Sequence, residues 1–327
     1  MNGYQFDSLK FATEGLTGFG CTVIQDNADL PSFMIPINQR TNAQLFEGGS
    51  QKVHSAFNVD DVLYKRFFIS KFINCIVNGR AYSWPGVDPA AVIDYDASHA
   101  ACNAKGLGFH LMSIPERAVI NHLIYKSGFV PRGNTQYGHS HSNTYEAGEP
   151  TADESDGAGG RRTTRTATGS GPATWFHDGT RNGIADWVGN VWKWSSGMRV
   201  VNGEIQIFVG NLAARQVAHT PESTYWKAIL PTGALVNPGT AGTLKYTKDF
   251  KIATETGAAG STSTANFGNL AAASGVTIPE ILYELMLAPK AGVTHSGGFW
   301  INNEGERLPL VGACFSNTSY SGPSALS

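Results

Sequence analysis

Short apolar runs separated by polar breaks open the chain. Phe33–Ile37 predicts a strand that ends at the polar run 38–44. Between residues 56 and 78, Val62-Leu63-Tyr64, Phe67-Phe68-Ile69, Phe72-Ile73 and Cys75-Ile76-Val77 carry the β-branched and aromatic content of strands, and Asn78-Gly79 is a tight-turn signal. The period then changes. In Asp96–Lys105 the residues Ala97, Ala100, Ala101 and Ala104 recur at helical spacing and predict one small-residue packing face, with Gly106 as a left-handed cap. A second helix starts at Ser113-Ile114-Pro115-Glu116, where Ser113 and Glu116 have capping-box spacing and Pro115 falls in the first turn. Ile120, Leu123 and Ile124 give it an apolar face, and Gly128 ends it.

Beyond Gly128 the pattern loosens. Residues 131–174, rich in Gly, Ser, Thr, Asn, Asp and His, read as a long surface loop, and 231–276 as a second excursion. Thr174-Trp175-Phe176 and Asp186–Trp194 are ordered stretches between them. Met198–Phe208 predicts a hairpin around Asn202-Gly203, and Ile278–Leu287 a short helix. The first 32 residues lack a strong period and read as an N-terminal arm, a docking or oligomerisation element, ahead of one domain over 33–327.

Composition narrows the class. The chain of 327 residues is 41% hydrophobic and 15% charged with 38 Gly, which suits a loop-rich α+β domain better than a helical bundle. A net charge of −2 leaves no basic footprint for nucleic acid or anionic lipid. Arg161, Arg162 and Arg165, among Gly, Ser and Thr, read as part of a solvated loop. No apolar run approaches the ~20 residues that span a bilayer. The N-terminus lacks a basic region followed by an apolar stretch, so no secretory signal is expected. Cys21, Cys75, Cys102 and Cys314 show no metal-site spacing and read as packed or incidental thiols. His139, His141 and the His177-Asp178 pair read as polar-loop residues rather than a metal cluster, and Asp88, Asp94, Asp96, Asp153, Glu154 and Asp156 as caps and solvated loop.

Two ordered motifs carry a resemblance. Asn182–Trp194 (NGIADWVGNVWKW) is similar to the N-G-[LI]-x-D-x-x-G-N-V-W-E-W signature of the formylglycine-generating-enzyme family, with Lys193 in place of Glu. Upstream, Asp96–Cys102 and Gly108–Glu116 (GFHLMSIPE) resemble the same family's helix–loop–helix. The wider layout, from VNGRAYSWPGVDP through GFVPRGNTQYG and GPATWFHDGT, resembles the variable proteins diversified by retroelements, which phages use as receptor binders at the tail tip or fibre. The resemblance covers about 33–327. It implies a C-type-lectin-like α+β fold with two helices, a small twisted antiparallel sheet and long loop insertions.

It also implies a function. Glu306–Leu310 is similar to the constant lead-in of that group, and 311–327 to its variable segment. Every residue from Val311 to Ser327 is reachable by randomising the first two bases of an Asn codon, and the mix of Tyr320 and Phe315 among Ser, Asn, Thr and Gly suits a binding surface. The expected receptor contacts are Val311, Ala313, Cys314, Phe315, Ser316, Asn317, Thr318, Ser319, Tyr320, Ser321 and Ser324. The expected partners are a host cell-surface receptor, protein or glycan, tail proteins, and sister copies, a trimer by analogy; the expected location is the virion. In that family the chain usually continues into a closing strand near I-G-F-R, and this sequence stops at Ser327 before it, so either that segment is truncated or the fold closes differently. Catalysis is not expected: the family's oxidases need two cysteines near the C-terminus to bind copper, and only Cys314 lies there. No cofactor is required; some members hold calcium near the G-N-V-W turn, which makes Asp186 and Asn190 its candidate ligands. Trp187, Trp192 and Trp194 read as core. The alternatives are a structural virion protein and a divergent metal-dependent oxidase.

Overall fold

The structure is a computed structural model that describes residues 3–327. It is a mixed α+β fold with two apolar cores on either side of one helix. The first core lies under a three-stranded antiparallel sheet of Thr22–Gln25, Pro31–Asn38 and Arg66–Ser70, in which Val23 faces Phe33 and Ile35 faces Ile69. Ile35, Ile37 and Ile69 pack there with Val119, Ile120 and Ile124 of the helix Ile114–Ser127. The second core fills an eight-stranded sheet drawn from 198–307, including Met198–Val201, Glu204–Phe208, Trp226–Ile229 and Lys245–Thr247. Ile114, at the start of the same helix, belongs to this second core together with Ile205, Tyr246 and Leu282.

That position explains why the helix needs its cap. A helix end leaves four N–H groups without partners, and here they are enclosed by protein rather than water. Ser113 Oγ accepts from Glu116 N at 3.4 Å, and Glu116 Oε2 accepts from Ser113 N at 2.9 Å. Gly128 closes the helix at φ 75°, as its sequence predicts. The Asn78-Gly79 and Asn202-Gly203 turns also form where expected, joining Cys75–Val77 to Arg80–Tyr82 and Met198–Val201 to Glu204–Phe208; all four turn residues have positive φ.

Several expectations are corrected. The helix at 96–105 runs from Tyr95 to Asn103, and Ala97, Ala100 and Ala104 are exposed; it buries Tyr95, Ala101 and Cys102 instead. The large Tyr95 ring, edge-on to Trp194, outweighs three methyl groups in choosing the face. The arm is shorter than 1–32: Gly3–Leu16 is a helix with no buried residue, whereas Cys21, Val23 and Asp26 are buried and their strand belongs to the domain sheet. Residues 131–174 contain a hairpin, Pro150–Ser155 with Arg161–Thr166, so the arginine cluster lies on a strand and not in a loop. Arg162 sits directly opposite Glu154 and pairs with it at 2.7 Å, and Arg165 pairs with Asp88 at 2.8 Å; paired charges across strands replace the apolar signal that would have marked them. The excursion 231–276 supplies short strands of the large sheet, among them Lys251–Ala253 with Ala271–Ala272, a parallel pair. The sheet is thus larger than expected and not wholly antiparallel.

The last residues are themselves paired. Leu310 and Ser327 exchange N–H···O bonds of 3.0 and 2.9 Å, and Leu326 bridges both Phe299 and Val311. Among the described residues, no helix is long and apolar enough to cross a membrane.

Candidate functional site

The signature stretch 182–194 builds the floor of the site. Gly189 has φ 77°, and a Cβ there would lie 2.2 Å from Asn134 O, so only glycine lets the two loops touch. Asn190, also left-handed at φ 65°, uses its whole amide: Oδ1 accepts from Thr166 N at 3.0 Å and Asn134 Nδ2 at 3.3 Å, and Nδ2 donates to Thr166 O at 2.9 Å. Asn134 in turn donates to Thr164 O and accepts from Gly138 N. Two buried amides therefore tie the turn to the loop 133–138 and to the end of the arginine strand.

The C-terminal loop lies on this floor through its main chain. Gly189 N donates to Gly312 O (2.8 Å), Phe315 N to Asn190 O (3.1 Å), Tyr137 N to Phe315 O (2.8 Å), Thr318 N to Thr135 O (3.0 Å) and Gly298 N to Tyr320 O (2.7 Å). None of these bonds depends on a side chain of 314–320. Within the loop, Asn317 Oδ1 accepts from Cys314 N at 2.8 Å.

The expected contact residues divide into two groups. Ser316 and Ser319 are exposed, and Cys314, Phe315, Asn317, Thr318 and Tyr320 are half-buried at the surface. Val311, Ala313, Ser321 and Ser324 are buried and cannot serve as contacts in this arrangement. Val311 packs in the second core, Ala313 is enclosed in a left-handed turn, and Ser324 Oγ bonds the Tyr125 hydroxyl at 2.7 Å. In their place the fold brings in residues from elsewhere. Trp192 and Trp300 meet edge-on at 5.1 Å between ring centres, and Trp300 meets Tyr320 at 5.2 Å. Phe315 lies 5.6 Å from Tyr137, and the Arg162 guanidinium lies over the Tyr137 ring at 3.9 Å. Trp187 is core as expected, but Trp192 and Trp194 are only half-buried. No local pattern marks Trp192, Trp300, Tyr137 or Arg162 as neighbours; each belongs to a different segment.

The charges beneath are unusual. Arg117 is buried with its guanidinium on the Trp187 ring, one nitrogen donating to Pro323 O at 3.0 Å and Nη1 without a partner; burial pushes its pKa down to about 9. Lys193 donates to Gly189 O at 2.6 Å, and burial lowers its pKa. Asp186 accepts from Gly169 N at 2.7 Å through Oδ2; its Oδ1 has no partner, and burial raises its pKa.

The calcium expectation on Asp186 and Asn190 does not fit this geometry. Calcium takes six to eight oxygens, and Asn190 Oδ1 already accepts two hydrogen bonds, which leaves one unspent side-chain oxygen on Asp186. Asn190 is a brace. Asn190→Ala is expected to cost about 3 kcal/mol or more, because it strands the buried Thr166 N–H and C=O and puts a Cβ-bearing residue without an amide at positive φ. Urea unfolding would read this, and calcium or a chelator should leave the unfolding midpoint of the unaltered protein where it is. The histidines do not gather either: His177 Nδ1 accepts from Ile184 N at 2.8 Å, and His141 bonds Thr135 Oγ1. Among the described residues no group of three His, Cys, Asp or Glu side chains is placed to hold a metal ion, and all four cysteines are free thiols, three of them buried.

No protein-family model matches this chain, and no curated protein matches it. Its functional reading rests on the residues and their geometry.

Proposed function

We propose that this protein is a non-catalytic receptor binder, carried at a phage tail tip or fibre, that displays the loop 314–320 from a C-type-lectin-like scaffold of the formylglycine-generating-enzyme type. One observation carries the reading: the loop is fixed by main-chain bonds to 135–137, 190 and 298 while its side chains stay at the surface. A surface built this way keeps its shape when its side chains change, as diversification requires. The aromatic groups beside it supply what recognition needs, large rigid rings among small polar residues. Trp300 and Tyr320 form one anchor, and Phe315 with Tyr137 and Arg162 the other. The exposed helix Gly3–Leu16, with Tyr4, Phe11 and Leu16 open to solvent, is the docking element toward tail proteins or sister copies. Several such copies would raise weak single-site affinity through avidity.

The deciding experiment is deep sequencing of the gene's 3′ end in a propagated population. Substitutions should concentrate at the codons for 314–320, and the enclosed positions 313 and 321–326 should stay nearly constant. An invariant 3′ end would remove the diversification claim and favour a structural role in the virion.

A further inference from the structure

A second place in the molecule is built for a ligand, and it shares Trp192 and Lys193 with the floor beneath the receptor loop. A cavity of about 220 Å³ opens between the strand Arg66–Ser70, the helix Tyr95–Asn103 and the signature stretch. Its walls are apolar and aromatic: Phe68, Ile73, Ile93, Phe109 and Trp194 line it and remain half-buried around empty space. Two lysines, two carboxylates and a histidine also line it. His110 and Glu116 pair with each other at 2.9 Å. Asp186 supplies one anion. Lys105 and Lys193 supply two cations, and among the described residues neither forms an ion pair.

Lys105 is 4% exposed. Its ammonium donates to Ser32 Oγ at 2.5 Å and rests against the Tyr82 and Phe109 rings, 4.8 and 4.3 Å from their centres. Lys193 donates only to Gly189 O. An ammonium has three N–H groups, so each lysine keeps two that no protein acceptor uses. The nearest carboxylates, Asp26 for Lys105 and Asp186 for Lys193, act on them only from beyond ion-pair distance, and a bound anion would relieve the cost of taking the two charges out of water. With His110 protonated against Glu116, the groups that line the cavity carry one cation more than anions.

We propose that this cavity binds a small monoanionic amphiphile, a carboxylate on an apolar body of roughly eight carbons, with Lys105 and Lys193 supplying the charge recognition. The size follows from the volume of about 220 Å³, against the ~150 Å³ of an apolar cavity that takes up the six-carbon ring of benzene. The single excess charge selects a monoanion over a phosphate ester, and the aromatic walls select an apolar body over a sugar.

The test uses three probes of one length on the intact protein: sodium octanoate, octanol and octylammonium. Trp187, Trp192 and Trp194 line the cavity, so their fluorescence reports occupancy. Octanoate is expected to give a saturable change, with octanol at least about tenfold weaker and octylammonium without saturation. Lys105→Met and Lys193→Met should each weaken octanoate binding by about tenfold, with circular dichroism confirming the fold. Equal response to octanoate and octylammonium, equal response to octanoate and octanol, or no saturable response to any probe would overturn the proposal. The probe comparison needs no variant, so it stands even if a substitution unfolds the chain. The probe titration is read on the purified chain without cells, so its outcome does not depend on the receptor reading.

Discussion

Tyr320→Ala is expected to weaken adsorption to host cells about thirtyfold or more while leaving the unfolding midpoint nearly unchanged. Truncating a rigid aromatic anchor at a recognition surface costs about 2 kcal/mol or more, which is more than tenfold in affinity. The side chain contributes little to the fold: it is half-buried, and its one ring neighbour is Trp300. What holds position 320 is its carbonyl, which accepts from Gly298 N, and alanine keeps that carbonyl. Phe315→Ala should behave alike through the Tyr137 and Arg162 side of the surface. Ser321→Tyr should do the reverse and destabilise the protein, because that side chain is 5% exposed. The measurement pairs adsorption of particles carrying each variant with thermal unfolding of the purified chain. Normal adsorption by both Ala variants would sink the receptor surface as drawn here.

Unfolding free energy is expected to fall steeply as pH drops below neutrality, by about 4 kcal/mol between pH 7 and pH 5. The cause is buried neutral imidazole. His122 is pushed down to about 3 by burial and by the neighbouring His54, and His295 to about 4 by burial. Both are almost wholly enclosed, at 5% and 7% exposure. An unfolded histidine titrates near 6.5. Because the folded values lie below that, the stabilisation is complete above pH 6.5 and is lost as pH falls toward the folded values. The loss is about 1.4 kcal/mol per pH unit for each group, or roughly 2 kcal/mol each at pH 5. His54, fully buried with its Nε2 2.9 Å from Glu284 O, is shifted the same way and adds to the loss. Asp186 and His110 run the other way: both pKa values are raised, so the folded form gains as pH falls through that window, but seven imidazoles are shifted down. A total of this size is a large part of the 5–15 kcal/mol that holds a typical domain together. Urea unfolding at pH 7 and pH 5 decides it, and equal stability at the two values would mean that these rings are not buried neutral in solution.

The two predictions draw on different kinds of information. Neither histidine is marked by its sequence neighbours. His122 is one residue of a helix buried on nearly every side, and it is enclosed because that helix lies between two cores. His295 sits in a Gly-rich stretch, and it is enclosed by Tyr125 and Phe267. The loop 314–320, by contrast, was legible as a surface segment from its small polar residues, although the same run ends in Leu326, which packs in the second core.

Sequence by itself determined the local events. Ser113 with Glu116 and Gly128 set both ends of a helix, Asn78-Gly79 and Asn202-Gly203 set two turns, and Phe33–Ile37 set a strand. Each depends on residues within a few positions of one another, through backbone sterics and caps that act at that range. Tertiary structure decided the rest. It turned Tyr95 inward instead of the alanine stripe, spent the Asn190 amide on Thr166 and Asn134, and enclosed Val311, Ala313, Ser321 and Ser324. It also brought Trp192, Trp300 and Tyr137 beside the C-terminal loop. Burial and cross-chain hydrogen bonds are properties of which surfaces meet, and residues far apart in sequence meet only when the whole chain packs.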